Sequence, residues 1–258
     1  MASALVTGAS RGVGKGVAIS LARDGYKVFA TGRTIAAADL PAEVLRIPCD
    51  HLRDEETAAA FERIARESDG LDVLVNSAWG GYERMVEHDR FTWAVPFWEQ
   101  PSHRWSGMMD AGVRAAFVCA SHAARVMLPK RRGLIVNISN WPAQKYIGNT
   151  IYGVSKAATD KLTADMAYEL RAHNVAVVSI YPGLVRTEAV LAAAAGGWFD
   201  LSNSESPEFI GLVVAALARD SQLMERSGKV WVAAAVAREF GLKDIDGRQP
   251  TPLTLDAV

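Results

Sequence analysis

A short apolar run, Ala4-Leu-Val-Thr7, breaks into the glycine turn GASRGVG and passes directly into GVAISLARDG. The last segment carries apolar residues at helical spacing and stops at Gly25. Strand, glycine turn and helix in that order tightly constrain what the chain can build. The first N–H groups of the helix point back at the turn, and Gly8, Gly12 and Gly14 let backbone turn sharply or approach a ligand. Such a turn is a natural seat for a pyrophosphate. The spacing is TGxxxGxG rather than GxGxxG, and a glycine-rich turn can also be a plain connection. Its place between strand and helix favours dinucleotide binding.

The rhythm continues along the chain. Strands are predicted at Lys27–Thr31, Val44–Pro48, Leu71–Val75, Gly133–Ser139, Val175–Tyr181 and Gly228–Ala233. Helices are predicted at Asp54–Glu67, Ser106–Leu128, Thr150–His173 and Pro207–Arg219. Strands alternating with helices predict an α/β fold, a doubly wound parallel sheet of about seven strands with helices on both faces. No linker or repeat interrupts the pattern, so residues 1–258 are read as one domain. Residues 188–205 are expected to form a substrate lid, and 234–258 an extended tail.

The second strand ends at Gly32-Arg33-Thr34 with no acid to meet the ribose hydroxyls of an adenosine. Arg33 beside it and Arg11 in the glycine turn suit a 2′-phosphate, or are two solvated surface cations. Asp50 is placed to accept from an adenine amino group or to cap a helix. The fourth strand ends in NSAWGG, where small residues such as Ala78 let a cofactor approach. Residues 82–105 are rich in aromatics and read first as packing, then as substrate wall or oligomer contact.

Composition removes several classes. Half of the 258 residues are hydrophobic, and the formal net charge is −1, so nothing argues for nucleic acid or an acidic partner. The longest apolar runs are too short for a bilayer, so no membrane partner is expected. Two cysteines, Cys49 and Cys119, fit free thiols in a reducing compartment, and the expected location is cytoplasmic. The five histidines show no ligand spacing, so no metal site is inferred.

Tyr152 and Lys156 stand four apart in YGVSK, on one face if that segment is helical. A neighbouring cation favours a phenolate and lowers a tyrosine's pKa from about 10. Such a phenol exchanges a proton with a carbonyl or carbinol oxygen. Ser139 ends an apolar strand, where its hydroxyl can hold the same oxygen. The pair alone is equally an ordinary helix-surface contact.

TGASRGVG at 7–14, LVNSA at 74–78, Ser139, YGVSK at 152–156 and YPGLVRT at 181–187 together resemble the short-chain dehydrogenase/reductase family. PFWEQPSHRW at 96–105, YGVSKAATDKLTAD and SGKVWVAAAVAREFGLKDIDGR are similar to its dehydrogenase/reductase member 1 type. The resemblance implies a Rossmann-type sheet. It also implies that Ser139 orients a carbonyl, that Tyr152 donates the proton, and that Lys156 lowers its pKa and binds the nicotinamide ribose. The turn formed by Gly8, Ser10, Arg11, Gly12, Val13 and Gly14 would hold the pyrophosphate. Asn76 would lie beside the adenosine half, and Pro182, Gly183, Val185 and Thr187 would flank the carboxamide.

Two departures stand out: the family's NNAG reads NSAW, and the helix asparagine of its catalytic tetrad aligns with Gly112. Glycine permits a bend and leaves a carbonyl free. The expected relay therefore runs from Tyr152 through the ribose and Lys156 to a water on a main-chain carbonyl at or beside residue 112.

The reading that follows is an oxidoreductase preferring NADP(H) to NAD(H), reducing a carbonyl on a bulky apolar small molecule. Trp79, Trp141, Tyr146, Trp198 and Phe199 are its expected pocket wall. A homodimer or homotetramer is implied by the resemblance. The alternative is a non-catalytic dinucleotide-binding sensor or scaffold. An enoyl reductase is disfavoured because Tyr152 and Lys156 stand too close in sequence.

Overall fold

The structure, a computed structural model, describes residues 1–83, 85–88, 90–197 and 200–258. The N-terminal half lays down β1 (Ser3–Val6), α1 (Gly12–Arg23), β2 (Lys27–Gly32), β3 (Leu45–Pro48), α2 (Asp54–Glu67) and β4 (Val73–Asn76). A small antiparallel pair follows, β5 (Val86–Glu87) and β6 (Arg90–Phe91). Then α3 (His103–Trp105) runs into a π-helical stretch, Ser106–Arg114, and on into α4 (Ala115–Met127). The chain continues through β7 (Gly133–Ile138), α5 (Thr150–Leu170), β8 (Val175–Tyr181), α6 (Glu188–Ala195), α7 (Pro207–Arg219), α8 (Leu223–Arg226), β9 (Val230–Val232) and α9 (Ala233–Glu239).

The main sheet has seven strands, all parallel, in the order β3-β2-β1-β4-β7-β8-β9. This is the predicted doubly wound α/β sheet. Its inner strands are buried on both faces, so they read as continuous apolar runs. Alternate residues divide between two cores. Ala4 and Val6 of β1, Val73 and Val75 of β4, and Val136 of β7 face a core closed by α1, α7 and α9. Leu5, Leu74 and Ile135 face the other, closed by α2, α4 and α5.

Strand order reverses about β1, which pairs with β2 on one side and β4 on the other. In open sheets of this kind, ligands bind outside the strand carboxyl ends at that point. Thr7 ties the two strand ends together there: its hydroxyl accepts from the N–H groups of Ser77 and Ala78, both at 3.1 Å.

A buried polar chain crosses the other half of the sheet. Asn76 Nδ2 donates to Asn137 Oδ1 at 2.9 Å, and Asn137 Nδ2 donates to Thr163 Oγ1 at 2.8 Å. Thr163 and Ser179 share a hydrogen bond of 2.9 Å. The chain joins β4, β7, α5 and β8. Asn137 is fully buried.

The segment 188–205 opens with a helix, α6, capped by Thr187 Oγ1 at 3.3 Å from Val190 N. Within the expected extended tail, residues 234–239 are helical and Ala234, Val236 and Ala237 are buried in the first core. Further on, Asp244 is buried and receives Ser206 N at 2.8 Å and Arg186 Nη2 at 2.9 Å. Small residues at 233–237 bury because they pack closely, not because the segment is long.

Candidate active site

Helix α5 starts where Asn149 supplies a side-chain acceptor: its Oδ1 takes the Tyr152 N–H at 2.9 Å. The asparagine's own amide donates to the Trp93 carbonyl at 2.9 Å, so the cap also anchors the aromatic loop. Tyr152 and Lys156 then fall one turn apart on the face packed against the sheet, and both are buried. Asp160, a further turn on, accepts from the Tyr181 hydroxyl. Ser139, 1 % exposed, follows β7 and donates to the Lys156 carbonyl at 3.3 Å.

Aromatic rings enclose Tyr152. Trp79, Trp93 and Tyr82 have ring centroids 5.2, 5.3 and 6.3 Å from its own. Tyr82 is exposed along its flank, but its hydroxyl is turned inward, 3.3 Å from that of Tyr152. Burial pushes the Tyr152 phenol well above its ordinary value, Tyr82 adds to the rise, and Asn140 opposes it. The expected lowering by Lys156 is absent. The reason is geometric: the Lys156 ammonium donates to the Ile138 carbonyl at 3.0 Å and lies 5.9 Å from the phenol ring centroid. Burial brings the lysine itself down to about 8, against the opposing charge of Asp160. Ile138 provides a carbonyl that Lys156 reaches directly.

The glycine turn is packed backbone against backbone. Gly8 has φ of +65°, and a Cβ on it would lie 2.6 Å from the Ala78 backbone. A Cβ on Gly14 would meet the Gly8 carbonyl at 2.5 Å. The chain's own carboxylates occupy its anion positions. Glu188 Oε2 accepts from Gly12 N at 2.9 Å and lies 3.6 Å from Lys15 Nζ through its other oxygen. Burial raises the Glu188 pKa, but these N–H groups and Lys15 outweigh it and hold the carboxyl low. Arg11 and Arg33 converge on Glu83, the first at 3.5 Å. Arg33 and Asp50 also line a cleft of about 310 Å³ with Arg53 and Glu56. Within it Asp50 Oδ1 accepts from Leu52 N at 3.1 Å, a local turn contact.

The 182–187 loop is clamped from behind. Glu205 is 2 % exposed and accepts from Gly183 N at 2.9 Å, while Val185 pairs with it as an isolated parallel bridge. Pro182 is buried, and the Thr187 hydroxyl is committed to capping α6.

Sequence-predicted residues thus fall into groups. Ser139, Tyr152 and Lys156 come together, with Trp79 against them. Gly8, Gly12 and Gly14 shape one turn, and Ser10 borders Gly32 so tightly that a Cβ there would lie 2.4 Å from its hydroxyl. Val13 packs on the first core. The Asn76 amide is turned into the polar chain of the sheet rather than outward. Trp141 is buried against Tyr181, ring centroids 5.2 Å apart, whereas Tyr146 is 68 % exposed. Neither joins the rings around Tyr152. Trp198 and Phe199 lie outside the described residues. Asp160, Glu83, Glu188 and Glu205 were not anticipated. Only Asp160 carried a signal, its four-residue spacing from Lys156.

Comparison with known proteins shows the family. The sequence pattern of the short chain dehydrogenase family matches residues 2–195. The chain is 40 % identical to "Dehydrogenase/reductase SDR family member 1" of Mus musculus, over 95 % of this chain and 83 % of that protein. It is 31 % identical to "5-keto-D-gluconate 5-reductase" of Escherichia coli strain K12, over 73 % of each. A solved "short chain dehydrogenase/reductase family protein" superposes with a TM-score of 0.72 at 27 % identity, covering 90 % of this chain and 94 % of the other. The structure of "ElxO with NADP Bound" superposes with a TM-score of 0.75 at 21 % identity, covering 90 % and 96 %, a likeness of fold.

Glu205 yields a prediction. Burial raises its pKa to about 7, with Asp244 adding to the rise. A carboxyl raised in the folded state binds more protons than in the unfolded chain between its ordinary value and 7. Stability is therefore fullest below about pH 4.5 and is lost as pH rises through 7. Glu205→Gln keeps an acceptor for Gly183 and removes the titration. Its thermal midpoint is expected to exceed wild type at pH 8, by up to about 3 kcal/mol in stability, and the gap to close by about pH 4.5. Parallel melting curves across that range check it; a gap independent of pH contradicts the assignment.

Proposed function

The chain belongs to the short-chain dehydrogenase family of oxidoreductases, and from that premise we propose that it is an NADPH-dependent carbonyl reductase. The observation that carries the reading is the buried Tyr152 hydroxyl inside an aromatic enclosure, with Ser139 and Lys156 on the adjoining strand end and helix turn. A nicotinamide dinucleotide fits the residues present. The turn of Gly8, Gly12 and Gly14 is a cradle that side chains would fill, and Gly12 N already takes a carboxylate where a phosphate would bind. Arg11 and Arg33, gathered on one acid, support a site for a 2′-phosphate. When bound, the dinucleotide supplies a hydride to the carbonyl carbon.

The chain's own residues do the rest. Ser139 Oγ orients the substrate oxygen by a hydrogen bond. Tyr152 gives that oxygen its proton as negative charge gathers there. A phenol held above its ordinary pKa stays protonated and ready to donate, and an alkoxide is basic enough to take the proton. The phenolate left behind gains from the Lys156 ammonium one turn away. The rings of Trp79, Tyr82 and Trp93 exclude water and favour a bulky apolar carbonyl compound.

Two further parts of the reading have supports of their own. Phe117 on α4 and Val154 and Tyr168 on α5 are exposed, which supports a homodimer or homotetramer through these helices. Cys49 and Cys119 are free, buried thiols, which supports a cytoplasmic location. Among the described residues no helix is long and apolar enough to cross a membrane.

Tyr152→Phe is expected to cut NADPH-dependent carbonyl reduction by about 10²–10⁴-fold while NADPH binding, followed by nicotinamide fluorescence, persists. Near-normal turnover in that variant would remove Tyr152 from the chemistry. For the cofactor, Arg11→Ala with Arg33→Ala is expected to weaken NADPH about 10–100-fold and leave NADH nearly unchanged. Equal loss for both nucleotides, or a wild type that prefers NADH, would make the arginines surface residues.

A further inference from the structure

The two departures from the family pattern, tryptophan at 79 and glycine at 112, meet in space. A Cβ on Gly112 would lie 2.6 Å from Trp79 Cδ1 and 3.2 Å from its Nε1. A Cβ on Gly81 would lie 2.4 Å from Cζ2 and Cη2, at the other end of the same indole. Glycines therefore bracket the ring at both ends. The loop carrying it docks on the π-helical stretch backbone to backbone: Gly80 N donates to the Gly107 carbonyl at 2.9 Å. Gly107 and Gly112 are five residues apart, one repeat of the i→i+5 bonding of a π-helix, so both face this loop.

The slot fixes the indole over the reacting groups. The Lys156 ammonium lies 4.9 Å from its ring centroid, and the Tyr152 ring 5.2 Å. Its N–H is buried and has no partner among the described residues. A glycine in a helix is ordinarily a local weakness. Here it is the only residue that leaves room for the ring.

We infer that Trp79 is a positioning residue, whose indole fills the space of the absent side chain at 112 and holds the Lys156 ammonium by its face beside Tyr152. The inference rests on reading Lys156 and Tyr152 as the proton-transfer pair, but its test needs neither cofactor nor turnover. The indole face favours the charged amine, so its contribution is present while Lys156 is protonated and vanishes once the amine is neutral. Burial already brings that change to about pH 8. The other titratable groups facing Lys156 are Tyr152 and Asp160 on its own helix, Tyr82 on the loop and Tyr181 on β8. All three phenols are raised above their ordinary value and stay protonated through the window used below. From β7 it meets the Ile138 carbonyl, and the Ser139 hydroxyl that follows donates to the Lys156 backbone carbonyl.

The experiment is thermal melting of the full chain. Gly112→Ala is expected to lower Tm by about 3–8 °C in the wild-type background, because one added carbon strikes the indole. In a Trp79→Ala background the same change should leave Tm unchanged or raise it, as alanine does at an unhindered helix site. A rise in the wild-type background, or an equal change in both, overturns the shared slot. The Tm loss caused by Trp79→Leu is expected to be larger at pH 6.5 than at pH 9.5, by about 1–4 °C. A loss of equal size at both pH values makes the ring a filler and overturns the positioning role. Failure of Tyr152→Phe to reduce activity would strike the catalytic reading and leave both melting results standing.

Discussion

The buried amide chain from Asn76 through Asn137 to Thr163 and Ser179 is the contact on which the geometry of the site depends. Polar groups inside an apolar sheet are costly unless each finds its partner. Here the partners belong to three strands and to α5, and although Asn76 Oδ1 has none among the described residues, pairing the rest fixes the helix's register on the sheet. Thr163 is seven residues beyond Lys156, about two turns, and so holds the same buried face. With that register fixed, Tyr152 and Lys156 arrive beside Ser139 without needing contacts of their own to place them. An apolar set of similar volume would fill the same space and let α5 slide by a turn.

The second organising force is charge. The cleft beside β1 collects backbone N–H groups, Lys15, Arg11 and Arg33, and the chain answers with Glu188 and Glu83. Those acids come from α6 and from the aromatic loop, the two segments that border the site. Their exposed ion pairs are individually weak, so an anion with several negative charges competes well for the same donors. Behind them the 182–187 loop is fixed by Glu205 and the Arg186–Asp244 pair, so one wall of the cleft is rigid where the other is held by surface contacts.

Much of this was legible in the sequence. Seven runs of apolar residues became the seven strands, because strands buried on both faces leave an uninterrupted signal. The glycine turn and the Tyr152–Lys156 spacing are local, and local patterns survive in one dimension. What was not legible arises from residues distant in sequence. Nothing near Gly112 says that an indole 33 positions earlier needs its space, so the glycine reads as a bend. The π-helical stretch has no composition of its own. The direction of the Tyr152 shift was missed because an i,i+4 pair fixes proximity, whereas burial and the Ile138 carbonyl decide where the ammonium points. Small residues at 234–237 read as tail, yet they pack as a helix into the first core.

The proposed reaction passes hydride in this cleft to a carbonyl carbon next to Tyr152. NADPH deuterated at C4 of the nicotinamide, offered with a panel of ring ketones and aromatic carbonyls, measures it directly. One deuterium is expected on the carbinol carbon of the alcohol formed, delivered from a single face of the nicotinamide, with the hydroxyl proton exchangeable. NADPH that binds tightly yet transfers no label to any carbonyl of the panel would contradict it, and the chain would then be a nucleotide-binding protein built on an oxidoreductase frame.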